Sequence, residues 1–131
     1  MSVLLDTNVL LWILSDDPRL TDEARGVFLN EENRLLFSIA GLWEIFIKLR
    51  LGKLALTTRD PRQFFAAQLQ ENAISLLGVT LEHVAGTLEL PLIHKDPFDR
   101  LMIAQAFHEG VPVLSSDPVF GDYGVTNLFA T

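Results

Sequence analysis

The sequence contains no cysteine, which excludes a disulfide framework and thiolate zinc sites and suits a cytoplasmic protein. It has no run near the roughly 18 uninterrupted apolar residues of a membrane span. Its first 14 residues lack a basic leader and carry Asp6, so they do not read as a signal peptide. There is no glycine-rich phosphate loop, and Ser38, Ser115 and Ser116 lack the Gly-x-Ser-x-Gly setting of a nucleophile elbow. Only three histidines occur, His83, His94 and His108, with no metal-ligand spacing among them; each reads as a surface or capping residue. Positive charge is scarce as well. Ten Lys and Arg against 17 Asp and Glu leave a net charge of −7, which opposes binding to a phosphate backbone. The scarcity is uneven: Lys48, Arg50, Lys53, Arg59 and Arg62 fall within one short stretch opposed only by Asp60. Such a run fits a solvated helix end, where basic side chains favour the C-terminal dipole, or contacts to a nucleic acid.

What is present is apolar. Hydrophobic residues make up 49% of 131 positions, enough to bury a core, and residues 1–131 read as one domain. Val3-Leu4-Leu5, Leu35-Leu36-Phe37-Ser38, Ile74–Val79 and Val111–Leu114 read as strands, and Thr126–Phe129 as a last edge strand. Helices are expected over Val9–Leu14, Thr21–Asn30, Ile39–Leu51, Pro61–Asn72 and from Thr80 to before Pro91. The clearest helix opens at Asp96-Pro97, with a capping acid and a proline at the first helical position, and stops at Gly110. Strands alternating with helices predict an α/β fold whose parallel sheet is covered on both faces. Sites in such sheets lie at the carboxyl ends of the strands, where Asp6 and Asp117 fall.

Four acids stand at the start or inside of apolar elements: Asp6, Glu44, Asp99 and Asp117. Each has a plain structural reading. Asp6 fits an N-cap worth about 1 kcal/mol. Asp117-Pro118 is a turn signal. Glu44 and Lys48 fit an i, i+4 pair worth about 0.3–0.5 kcal/mol. Asp99 fits a first-turn acid favoured by the helix dipole at about 0.3–1 kcal/mol. Dipole preference does not explain why Asp99 shares the apolar stripe of Met102, Ile103 and Ala106, nor why Glu44 interrupts a helix apolar nearly all round. Converged carboxylates about 5 Å apart repel by roughly 3 kcal/mol per pair at an effective dielectric near 20. A divalent cation relieves that and leaves the acids ionised. Oxygen-only ligation points to Mg²⁺ or Mn²⁺, and the pattern suggests a metal-dependent hydrolase.

The same residues carry a resemblance. Leu4-Leu5-Asp6-Thr7-Asn8, Leu42-Trp43-Glu44-Ile45 with Lys48, the block from His94-Lys95-Asp96-Pro97-Phe98-Asp99-Arg100 to Ala106, and Ser115-Ser116-Asp117 are similar to the four signatures of a PIN domain. More narrowly, the chain resembles VapC-type toxins of type II toxin–antitoxin systems, from Val3 to about Val125. The resemblance implies a three-layer α/β/α sandwich around a mostly parallel sheet and a Mg²⁺- or Mn²⁺-dependent endoribonuclease. It also implies a homodimer inhibited by a cognate VapB-type antitoxin. Asp6, Glu44, Asp99 and Asp117 fall on the family's acidic positions, with Thr7, Asn8 and Ser115 placed to orient them. Lys48, Arg50 and Lys53 are candidates for RNA backbone contacts, and Trp12, Trp43 and Phe46 for anchoring an antitoxin. Gly41 stands where relatives carry a small hydroxyl residue, and Ser115 where many carry Thr. A haloacid-dehalogenase-type phosphatase needs a second Asp at position 8, where this chain has Asn8, and a receiver domain needs a mid-chain phosphoacceptor Asp. A PIN scaffold kept only for binding is expected to have lost an acid, and all four are present.

Overall fold

The computed structural model describes residues 1–129. Four strands, β1 (Ser2–Leu5), β2 (Arg34–Ser38), β3 (Ile74–Leu77) and β4 (Val113–Leu114), form a parallel sheet in the order β3-β2-β1-β4. Their apolar runs are explained by burial on both faces, because alternate residues point to opposite sides. Val3, Leu5, Leu35, Phe37, Ile74 and Leu114 enter one core; Leu4, Leu36 and Val113 enter the other.

Helices cover both faces. The first core receives α1 (Thr7–Ser15), α2 (Asp22–Leu29), α3 (Ile39–Arg50) and α4 (Pro61–Glu71) through Val9, Leu10, Ala24, Ile45, Phe65 and Leu69. The second receives α6 (Pro97–Glu109) and α7 (Val119–Asp122) through Met102, Ile103, Ala106 and Phe120. Helix α5 (Leu81–Gly86) and a 3-10 turn at Thr87–Glu89 precede α6. The expected α/β/α sandwich is therefore present. Among the described residues no helix is long and apolar enough to cross a membrane.

Each of α1 to α6 begins on a side-chain cap, from Asp6, Thr21, Ser38, Asp60, Thr80 and Asp96 respectively, which satisfies amide groups that helix starts leave unpaired. Gly110 ends α6 in the left-handed region at φ 66°, the conformation that glycine adopts without steric cost.

Four expectations need correction. Thr126–Phe129 is not a strand, since only Asn127 forms a bridge, to Val113. The reason is the Asn127 side chain, which accepts from the Ser115 N–H at 3.1 Å and donates to the Ser115 carbonyl at 2.8 Å. It takes the place of the next backbone pair, and the chain turns away. Strand β3 stops at Leu77 rather than Val79, and β4 starts at Val113 rather than Val111. The Asp117-Pro118 turn continues into the four-residue α7, which sequence pattern did not announce.

Gly41 has a packing reason. Helix α3 passes so close to the end of β2 that a Cβ there would stand 2.7 Å from Cζ of Phe37 and 3.2 Å from Oγ1 of Thr7. Phe37 is fully buried, so its ring has nowhere to retreat, and overpacking of this kind typically costs about 1–3 kcal/mol. A hydroxyl residue at this position would also push on Thr7, which holds Glu44 (below).

Candidate functional site

Strand β1 leads to β2 and β3 on one side and lies beside β4 on the other. This is the point where strand order reverses, and the crevice beyond the carboxyl ends of the strands is where open α/β sheets bind ligands. Leu5 pairs with Leu114, so the residues that leave the sheet there, Asp6 and Ser115, are neighbours. The Asp6 N–H donates to the Leu114 carbonyl at 3.1 Å. One carboxylate oxygen of Asp6 caps α1 by accepting from the Val9 N–H at 2.8 Å, and the other accepts from the Ser115 hydroxyl. Ser115 Oγ in turn accepts from the Asp117 N–H at 3.0 Å. A single serine thus links two of the four acids.

The other two come from α3 and α6. Glu44 is buried, with Oε1 accepting from the Thr7 hydroxyl at 2.7 Å and Oε2 3.3 Å from the Lys48 ammonium. Asp99 lies in the first turn of α6, behind the capping Asp96. The ring of Trp43 meets Phe98 edge-on at 5.5 Å, one residue before each acid, so an aromatic contact between the helices fixes Glu44 and Asp99 side by side. Asp6, Glu44, Asp96, Asp99 and Asp117 line one cavity of about 160 Å³ together with Thr7, Asn8 and Lys48. All four expected acids are brought together. Five carboxylates face a single ammonium.

The remaining candidates divide. Thr7 and Ser115 hold carboxylates as expected, whereas Asn8 lines the cavity and bonds none of them among the described residues. Lys48 reaches the cavity. Arg50 instead borders a separate groove of about 440 Å³, floored by Phe46 and Leu49 and rimmed by Arg59 and Arg62. Lys53 is exposed. Of the aromatic candidates, Trp43 is 63% exposed beside the site, while Trp12 and Phe46 are half-buried against the first core.

Sequence reasoning missed Asp96 as a wall of the cavity, and read His94 as surface or cap when its Nε2 lies 3.2 Å from Asp99 Oδ2. The signal was there: His94 and Asp99 are five positions apart, and both flank the cap. His83 needs correction too. It is fully buried, although it does serve a cap, its Nδ1 accepting from the Thr80 N–H at 3.1 Å.

Among the described residues, the only set of three or more His and acidic side chains whose ligand atoms all lie within 4.8 Å is His83, His108 and Glu109, away from the cavity. We do not read it as a metal centre. A backbone N–H is always a donor, so Nδ1 of His83 is the unprotonated nitrogen and Nε2 carries the hydrogen, donated to Glu109 at 3.0 Å. That nitrogen has no lone pair for a cation. The acid cavity, less tightly drawn together, offers carboxylate oxygens that each keep a second lone pair beside their hydrogen bonds.

Burial sets the electrostatics of the acids. Asp6 is pushed up to about 6, chiefly by desolvation and further by Asp117 and Glu44, against the lowering effect of its bonds from Ser115 and Val9. Asp99 is likewise pushed up to about 6 by burial, then by Asp96, with the His94 bond opposing. Carboxyls raised by burial and by neighbouring acids in a cleft are candidates for a functional site.

The PIN domain family model matches residues 3–125. Among solved structures, the chain is similar to VapBC2 from Rickettsia felis bound to a DNA fragment from their promoter, with 14% identity, 97% of each chain covered and a TM-score of 0.70. It is similar to a toxin–antitoxin complex from Klebsiella pneumoniae, with 15% identity, 88% of this chain and 87% of that one covered, and a TM-score of 0.62. FitAcB from Neisseria gonorrhoeae shares 20% identity over 97% of this chain and 96% of its own, with a TM-score of 0.66. At these identities the structural likeness speaks for the fold alone. No curated protein matches the sequence.

The raised carboxyls have a consequence for stability. An acid raised from 3.8 to about 6 on folding keeps a proton that the unfolded chain releases, so its contribution is fully present below about pH 4 and lost as pH rises through 6. For the buried Asp6 a shift of about two units corresponds to roughly 3 kcal/mol, and the more open Asp99 contributes less. With EDTA present, urea unfolding midpoints are expected to fall between pH 4.5 and pH 7, and Asp6→Asn to flatten that decline. An Asp6→Asn profile as steep as the wild type's would contradict this account.

Proposed function

The chain belongs to the PIN domain family, and from that premise we propose that it is a Mg²⁺- or Mn²⁺-dependent endoribonuclease, the toxin of a toxin–antitoxin pair. We take residues 1–131 as one nuclease unit and the cytoplasm as its compartment. The observation that carries the reading is the cavity at the strand-order reversal, where five carboxylates meet one ammonium and two of them hold their protons unusually well. The scaffold alone would not require this. A PIN fold kept only for binding has no use for clustered acids, two of them buried, that weaken it at neutral pH.

The donor set fits a hard divalent cation. Every candidate ligand is a carboxylate oxygen, which suits Mg²⁺ or Mn²⁺. Asp6, Asp99 and Asp117 would hold the ion, with Glu44 as a further ligand or as the base. When bound, the ion lowers the pKa of a water, orients the phosphodiester and stabilises the leaving oxygen. This chain's own residues supply the rest. Ser115 and Thr7 fix the planes of Asp6 and Glu44 by hydrogen bonds. Glu44 presents Oε2 beside Lys48, so a proton taken from water there leaves a carboxyl next to an ammonium free to contact the phosphate. Lys48 thus serves the RNA at the cavity, and Arg50 and Lys53 serve it beyond the rim. The cation's own charge offsets part of the acidity that opposes RNA.

The partner reading rests on the toxin–antitoxin complex among the similar folds and on surface chemistry. A VapB-type antitoxin would place an Arg against the carboxylates, since its planar fork binds them bidentately, and seat an apolar side chain on the exposed Trp43. The homodimer reading rests on Leu81, Val84, Leu88, Leu92 and Phe107, all exposed on α5, the 3-10 turn, the loop after it and the end of α6. Contiguous apolar patches beyond a few hundred Å² are rare on monomers.

Asp6→Asn and Asp99→Asn are each expected to lower Mn²⁺-dependent RNA cleavage by more than about a hundredfold, the upper end of what losing even an outer-shell partner costs. Both variants should melt no lower than wild type in EDTA. Cleavage at wild-type rates in either would end the catalytic assignment. Titrating the cognate antitoxin at several Mn²⁺ concentrations should give inhibition that weakens as the metal rises; a constant inhibition value would rule out occlusion of the acid site. Sedimentation equilibrium should return twice the 14.7 kDa chain mass, and a mass near 14.7 kDa at micromolar concentration would remove the dimer.

A further inference from the structure

We propose that His94 is a positioning residue for Asp99, held in one tautomer by the phenol of Tyr123. The proposal rests on the reading of Asp99 as a site carboxylate and adds what aims it.

Among the described residues, the Asp99 carboxylate has one hydrogen-bond partner, Nε2 of His94, 3.2 Å from Oδ2. The other ring nitrogen, Nδ1, is 2.7 Å from the Tyr123 hydroxyl. That hydroxyl is already approached by two groups that can only donate: Nη1 of Arg100 at 3.0 Å and the backbone N–H of His94 at 3.2 Å. With both lone pairs of the phenol engaged, its single hydrogen must go outward, to Nδ1. Nδ1 is therefore the acceptor, and the hydrogen of the neutral ring sits on Nε2, facing Asp99.

The far end of the line is firmly held. Arg100 also donates to the carbonyls of Pro91 at 2.8 Å and Thr87 at 3.1 Å, which closes the 3-10 turn onto α6. Tyr123 is buried, and its ring meets His94 edge-on at 5.4 Å. Arg100, Tyr123, His94 and Asp99 so form one chain of donors that begins on backbone carbonyls and ends on Oδ2, while Oδ1 keeps no hydrogen-bond partner among the described residues. A short acid on the first turn of a helix can rotate; one held at Oδ2 offers Oδ1 in a fixed direction. Outer partners of this kind typically change metal affinity by about 10–100-fold.

Three measurements test this on the full chain. In metal-free protein, ¹⁵N spectra of the histidine rings should report His94 with its hydrogen on Nε2, and Tyr123→Phe should mix the tautomers. Calorimetry with Mn²⁺ should give His94→Ala and Tyr123→Phe dissociation constants about tenfold weaker than wild type. His94→Gln, whose amide nitrogen reaches the place of Nε2, should recover affinity to within about threefold, and Tyr123→Phe added to it should cost nothing more. Wild-type affinity in His94→Ala or Tyr123→Phe overturns the proposal. So does a His94→Gln no better than His94→Ala, or a Tyr123 effect that persists in the His94→Gln background, which would mean that the phenol acts through the fold. If Tyr123→Phe fails to fold, the comparison of His94→Gln with His94→Ala decides alone. Asp99→Asn separates the two levels: wild-type Mn²⁺ affinity there sinks the site itself, whereas its loss with His94 variants unaffected sinks only the positioning role.

Discussion

Five carboxylates crowd one end of a parallel sheet with one ammonium among them, and keeping like charges together is the constraint around which the nearby polar groups are arranged. The remedy is a distributed set of donors rather than a counter-charge. Asp6 receives a backbone amide and a serine hydroxyl, Glu44 a threonine hydroxyl and Lys48, Asp96 two amides of its own helix, Asp99 an imidazole, and Asp117 the Val119 amide. Much of this comes without extra structure, because helix caps and site acids are the same residues. Asp6 and Asp96 stabilise α1 and α6 while they build the cavity wall, so the fold and the site cannot be varied independently there.

How much of this was legible follows from how local each signal is. Asp96-Pro97 to Gly110 could be read outright, since cap, first-turn proline and left-handed glycine all lie within the helix they define. The strands were legible because two-sided burial leaves uninterrupted apolar runs. Asp6 and Glu44 stood out as charges set in apolar surroundings. What escaped depends on partners distant in sequence. Asn127 looks like a strand residue until its amide is seen replacing the pairing of Ser115. His94 looks like a surface histidine until Tyr123, 29 residues on, takes its other nitrogen. Gly41 looks like a mild departure until the Phe37 ring appears beneath it.

The basic stretch shows the limit of reading charge along a chain. Lys48 and Arg50 are two residues apart on one helix and serve different surfaces. Lys48 enters the acid cavity, while Arg50 joins Arg59 and Arg62 around an apolar floor of Phe46 and Leu49. A helix turns its side chains by 100° per residue, so neighbours in a charge run face apart. The net charge of −7 likewise hides a molecule whose acidic and basic concentrations lie on separate sides of α3.

The bond from Ser115 to Asp6 spans 109 positions of the chain, and it couples the site to the order in which the chain is made. Synthesis delivers Asp6 and Glu44 before β4 and Ser115. A growing chain therefore holds its first acids without the serine that anchors them or the last acid that completes them. Long-range closures of this sort also form late during folding, because the loop between the partners must be ordered first. The acid cluster thus takes its geometry only once β4 has joined β1, and copies that stop short of Ser115 carry its pieces without the bond that joins them.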